Sequence, residues 1–170
     1  MDNNEQTKPN GASEKENFLS MKEREYQTTL KVLKAFPKDK LDFKPHEKSK
    51  SAGGLAFNFA QEERVNVDAL KGKVDFSVYA EKAPESMDEI IALLETNHKA
   101  SMDAIKAASD EQIGQMVEFA GMKLRAMDVF WFMMVDSIHH RGQFSVYIRL
   151  AGGLVPSIYG PSADEPWDEK

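Results

Sequence analysis

Four segments of this chain place apolar residues every three or four positions, a period that admits a helical bundle and leaves little room for a sheet. In residues 16–36 the apolar face is Leu19, Tyr26, Leu30, Leu33 and Phe36, opposed by lysines and glutamates, and Pro37 ends the segment. Ser51 stands where an N-cap belongs for a second helix reaching Leu70, with Leu55, Phe59 and Ala69 inward and Gly72 beyond its end. Ser86 with Glu89 three residues later is a capping-box signature, opening a third helix to Ala108 whose stripe is Met87, Ile91, Leu94, His98, Met102 and Ile105. The fourth helix runs from Arg125 to Ala151 and stops at Gly152 and Gly153. Residues Trp131 to Val135 are apolar all round, which predicts burial on most sides of that helix. Alternation is confined to short stretches such as Val74 to Val78, and residues 109–123 read as a loop with a small hairpin about Gly121.

The expected architecture is all-α, a four-helix bundle over residues 16–161 between a disordered polar leader (1–15) and an irregular tail (162–170). Ile158, Tyr159 and Trp167 are expected to fold back over one end. A chain of 170 residues suits one domain, and its lack of cysteine excludes disulfides, thiolate zinc sites and a cysteine nucleophile. That composition fits a reducing cytoplasm. The polar start does not resemble a secretory signal, and the longest apolar run, Val129 to Val135, is far short of the roughly 20 residues a membrane span needs. A net charge of −6 argues against nucleic acid as a partner.

The residues suited to chemistry cluster in the run from Asp136 to Gln143. On the fourth helix Val129, Met133, Asp136, His140, Gln143 and Tyr147 follow three/four spacing, so Asp136 and His140 lie one turn apart within an apolar stripe. A carboxylate and an imidazole in that setting can satisfy each other, hold a metal, or act as an acid/base pair. His139 points about 100° away and is expected to be structural or exposed. Glu95 and His98 have the E-x-x-H spacing of di-iron bundles, but a second copy of that motif is absent, and His98 reads more simply as a hydrogen-bonded core residue. His46 and the Glu/Lys run at 14–25 read as solvated surface. Arg141 and Gln143 are expected to hydrogen-bond helix termini at a bundle end, Gly142 to permit close helix approach, and the methionines Met127, Met133 and Met134 to fill core or line a pocket.

The run His139-His-Arg-Gly-Gln143, continuing through Gly152-Gly-Leu-Val-Pro-Ser-Ile-Tyr-Gly160, resembles the last helix and exit of the DinB family. The resemblance extends to Ser51-Ala-Gly-Gly-Leu-Ala-Phe-Asn58-Phe-Ala-Gln-Glu-Glu-Arg64 and, more loosely, across residues 16–161. It implies a bundle of up-down-down-up or similar topology with long inter-helix loops, often dimeric. It also implies a divalent metal held at one end by a histidine of the second helix and an H-x-x-x-H pair of the fourth. In this chain only His140 matches; Asn58 and Asp136 stand at the other two positions.

The candidate ligands are therefore Asn58, Asp136 and His140, with Glu62, one turn after Asn58, as an auxiliary carboxylate. Glu62, Met133 and Gln143 are expected to line a pocket beside them. This harder donor set suits manganese or magnesium better than the zinc or nickel of a histidine triad. Two functions follow from the resemblance. One is a metal-dependent enzyme acting on a small molecule, a thiol S-transferase or hydrolase-like, with an altered metal site. The other is a non-catalytic structural, dimerising or small-ligand-binding bundle that has lost the metal. A small thiol or another small ligand, and a second copy of the chain, are the implied partners.

Overall fold

The computed structural model describes residues 11–167. In chain order its elements are α1 (Glu14–Lys34), α2 (Ala52–Ala69), α3 (Met87–Ala107), the short α4 (Asp110–Gly114), β1 (Met116–Phe119), β2 (Met122–Arg125) and α5 (Ala126–Leu150). Serine caps fix the starts of four helices: the hydroxyls of Ser13, Ser51, Ser86 and Ser109 each accept a backbone N–H three residues on. Glu16 closes a capping box on Ser13, so α1 begins at Glu14, two residues before the expected start at residue 16. The expected leader lies outside the described residues for 1–10; of its remainder, Glu14 and Lys15 are already helical, and the Lys15 ammonium donates to Ala108 O at 2.9 Å.

Two apolar clusters occupy opposite ends of the bundle. One gathers the C-terminal half of α1, the N-terminal halves of α2 and α3 and the C-terminal half of α5 around Leu33, Phe59, Ile90 and Phe144. The other joins Phe18, Val65, Ile105, Phe130 and the hairpin's Val117. Since α1 and α5 end in the first cluster while α2 and α3 begin there, the order is up-down-down-up. Two parallel helices in sequence require a connection that returns the length of the bundle, and residues 70–86 supply it.

That return segment departs from expectation. Val74 and Val78 are buried, as their alternation suggests, but Phe76–Ala80 is a 3₁₀ turn capped by Asp75. Its strand-like contact is a single parallel bridge, Lys73 to Glu118. The hairpin forms about a two-residue turn, Ala120 (φ 50°) and Gly121 (φ 80°), with Phe119 opposite Met122.

The uncharged stretch of α5 is not buried all round. Phe132 and Val135 are 48% and 60% exposed, because α5 packs on α1 and α2 and, among the described residues, no further helix covers its outer side. Gly142 is not a close-approach position either, since nothing lies within 4 Å of a Cβ built there. The tight glycine is Gly153, where a Cβ would meet Ile148 Cγ2 at 2.9 Å and Pro37 Cδ at 3.0 Å. In the tail Ile158 packs on the first cluster and Trp167 stays exposed.

Candidate metal centre

Between the two clusters runs a layer of buried polar side chains: Lys22 from α1, Glu62, Glu63 and Asn66 from α2, His98 from α3 and Arg141 from α5. Buried groups of this kind need polar partners, and three networks supply them.

The first is the expected site. Glu62 lies near the middle of α2, and Asp136 and His140 flank the midpoint of α5, so the site is at mid-bundle and not at an end. Each of the three offers a ligand atom within 4.8 Å of the others. His140 Nδ1 is 2.9 Å from Glu62 Oε1 and 3.6 Å from Asp136 Oδ2. One proton lies between Glu62 and His140, because an ionised carboxylate can only accept and a bare imidazole nitrogen cannot donate. Burial pushes the Glu62 carboxyl up, against the opposing pull of His140. Donation of the ring N–H to the Glu62 carboxylate raises His140 in spite of the ring's own burial. Both directions favour keeping the shared proton.

The other oxygen of Glu62, Oε2, is buried without a hydrogen-bond partner. Glu62 lines a cavity of about 20 Å³ with Tyr26, Thr29, Met133 and Ser137, enough for roughly one water. An unpartnered carboxylate oxygen, a second carboxylate and an imidazole within reach of one point form a donor set that fits a hard or borderline dication. The Tyr79 hydroxyl donates weakly to Met133 Sδ at 3.9 Å, and burial followed by the charges of Glu62 and Asp136 raises it.

Asn58 is placed differently. It is buried one turn before Glu62, but its Oδ1 accepts from the Lys50 ammonium at 2.9 Å. Glu62, expected as the auxiliary, is instead the carboxylate bonded to His140. The expected pocket residues fall on two sides: Glu62 and Met133 line the inner cavity, whereas Gln143 lines an outer cleft of about 460 Å³ with Lys50, Leu55, His140 and Tyr147. Sequence reasoning missed Lys50, which stands one residue before the Ser51 N-cap of α2 and reaches along the helix to Asn58.

The second network explains His98. Its Nδ1 is 2.9 Å from Glu63 Oε1, its Nε2 is 3.1 Å from Glu23 Oε2, and Tyr26 stacks on its ring at 3.6 Å. Lys22 pairs with Glu63 at 3.0 Å. Burial alone would raise Glu63, but Lys22 and His98 outweigh it and hold the carboxyl at about 2. Glu95 is exposed, so the E-x-x-H pair does not converge, and His98 ties α3 to α1 and α2 instead of facing His140. In the third network the Arg141 guanidinium donates to Glu25 O at 2.9 Å, to Thr29 Oγ1 at 3.3 Å, and to the Glu25 carboxylate and the Tyr159 hydroxyl. It clamps the middle of α1 and the tail, not helix termini. His139 is exposed and paired with Gln143 at 3.0 Å, and His46 lies in an exposed loop.

The DinB family model matches residues 2–169. The chain belongs to the DinB family. An uncharacterized protein of Bacillus subtilis (strain 168), YrdA, is 26% identical over 155 residues, covering 88% of this chain and 90% of that one. A DinB-like protein from Bacillus cereus ATCC 10987 superposes with a TM-score of 0.75 at 22% identity, covering 85% and 97% of the two chains. YfiT from Bacillus subtilis, described as "a probable metal-dependent hydrolase with an unusual four-helix bundle topology", has a TM-score of 0.67 at 13% identity, covering 85% and 93%. At such identities the DinB-like structures establish the shared fold.

Proposed function

We propose that this DinB-family chain is a metal-dependent enzyme acting on a small molecule, hydrolase-like in preference to a thiol S-transferase. Glu62, Asp136 and His140 would hold one dication, with Glu62 doing the work expected of Asn58. The observation supporting this is the convergence of the three groups at mid-bundle with Glu62 Oε2 buried and unpartnered. The description of YfiT favours the hydrolase side of the alternative. A bound dication would supply Lewis acidity toward an electrophilic oxygen of the substrate. To hold the ion, Glu62 would be ionised and His140 neutral, so binding would release the proton that lies between them in the metal-free chain. Asp136, one turn from His140, would fix the ring's orientation. Leu55 and Tyr147 would wall the cleft and limit water. Metal-stripped protein should regain turnover of small esters or amides with manganese or zinc, and His140→Ala should not. Equal turnover by wild type and His140→Ala would remove the proposal.

A second reading, a bundle that has lost its metal, is favoured by the pairing of Glu62 with His140 and of Asn58 with Lys50, since the polar groups then largely satisfy one another. In that case Asp136→Ala and His140→Ala would change stability and leave dication binding at the level of a blank protein.

The implied homodimer is likewise a proposal. Phe132, Val135, Val146 and Leu150 are exposed on one side of α5, and Gly142 between them adds no side chain that would hold a second copy off. Sedimentation equilibrium of wild type against Val146→Glu tests it: a dimer that becomes monomeric supports it, and a monomeric wild type contradicts it.

A further inference from the structure

The outer cleft beside His140 has a charge pattern that the metal centre does not explain. It holds about 460 Å³ and is lined by Lys50, Asn58, His140 and Gln143 together with apolar walls, and no carboxylate is among its lining residues. The chain as a whole carries a net charge of −6, whereas the side chains lining this cleft include a lysine and no acid. The carboxylates of the proposed centre, Glu62 and Asp136, lie behind His140.

Lys50 is held in place from two directions. Its ammonium donates to Asn58 Oδ1 at 2.9 Å, and its carbonyl accepts from the Tyr147 hydroxyl at 3.1 Å. Tyr147 is itself buried in the first apolar cluster and has Phe43 edge-on at 6.1 Å, so the backbone under the ammonium rests on the bundle core. An ammonium has three donors, and the bond to Asn58 uses one. Two remain for a ligand at the cleft. Asn58 precedes Glu62 by one turn on the same face of α2, so Lys50 and the Glu62–His140 pair border the same stretch of that helix.

We propose that Lys50 is the anion-reading residue of this cleft, and that the ligand is a short organic acid. Its carboxylate sits on the Lys50 ammonium, and its apolar body lies on Leu55 and Tyr147. Its far end faces His140, which lines the same cleft. This names the substrate class of the proposed enzyme and rests on that reading for the word substrate, while the binding site stands on the cleft alone. Lys50 is a specificity residue here, not a catalytic one.

The test uses the full-length, metal-free protein and two probes of the same shape, 4-methylpentanoate and its uncharged analogue 4-methylpentanamide, titrated by amide chemical-shift perturbation. The carboxylate is expected to shift the amides of Ser49, Lys50 and Val146 and to bind at least about tenfold more tightly than the amide, the preference of a charge-assisted bond. Lys50→Gln should abolish the preference, and Lys50→Arg should retain it. Equal affinity for the two probes, absence of binding by both, or a preference surviving Lys50→Gln would overturn the proposal. Because no metal is present, failure of the metal-centre reading leaves these outcomes unchanged, and failure of Lys50 leaves dication binding unchanged.

Discussion

Replacing Arg141 by alanine should be among the most destabilising single changes available in this protein. The side chain is 1% exposed, and its guanidinium joins α5 to Glu25 and Thr29 of α1 and to Tyr159 of the tail. Truncation removes one partner of a buried ion pair, which costs about 3–5 kcal/mol. Glu25 is 15% exposed at its side chain and keeps the Tyr159 hydroxyl at 2.6 Å, so water and one donor still reach the orphaned carboxylate. The lower end, about 3 kcal/mol, is therefore expected, equivalent to a fall of roughly 6–12 °C in Tm for a chain of this size. Urea unfolding followed by circular dichroism reads the loss directly. Arg141→Met with Glu25→Gln restores the stem's volume and removes both charges, and should recover about 1 kcal/mol or more relative to Arg141→Ala. An Arg141→Ala protein within about 0.5 kcal/mol of wild type would refute the clamp, since that is the range of ordinary surface changes.

Other expectations follow from the same layer. Glu63 is held at about 2 against an ordinary 4.5, so its contribution to stability is complete above the ordinary value and is lost as pH falls through about 2; in acid unfolding, Glu63→Gln should flatten that loss. His140 is raised, so its contribution is complete below the ordinary histidine range and disappears as pH rises through the raised value. Glu62, also raised, acts in the same sense, disfavouring the fold above the ordinary carboxylate range. Metal-free wild type should thus lose stability toward alkaline pH more steeply than Glu62→Gln, as read by chemical denaturation across pH. Gly153→Ala should cost about 1–3 kcal/mol by overpacking against Ile148 and Pro37, whereas Gly142→Ala should gain up to about 1 kcal/mol of helix propensity. Thermal melts of the two variants at one protein concentration decide both.

Much of the fold was legible because its determinants are local. The caps Ser51 and Ser86, the stop at Gly152 and the stripe from Met87 to Ile105 act within a few residues of themselves, and periodicity records them. The exposure of Phe132 and Val135 was not legible, since an apolar residue carries no mark of whether another helix exists to cover it. The 3₁₀ turn at Phe76–Ala80 shares the valine spacing of a strand and is settled by the long return connection. At the site, Asp136 and His140 were readable as an i, i+4 pair. The pairing of Asn58 with Lys50 and of Glu62 with His140 was not, because periodicity does not record which polar side chains meet. His98 was placed in the core by its stripe, but its partners Glu23 and Glu63 come from two other helices.

The central claim is that Glu62, Asp136 and His140 form the dication site, with Asn58 outside it. Isothermal titration of metal-stripped protein with manganese and with zinc tests this most directly, comparing wild type, Glu62→Gln and Asn58→Ala. The account expects one dication per chain in wild type, at least about tenfold weaker binding in Glu62→Gln, and near wild-type affinity in Asn58→Ala. Loss of binding in Asn58→Ala with retention in Glu62→Gln, or no binding by wild type, would contradict it.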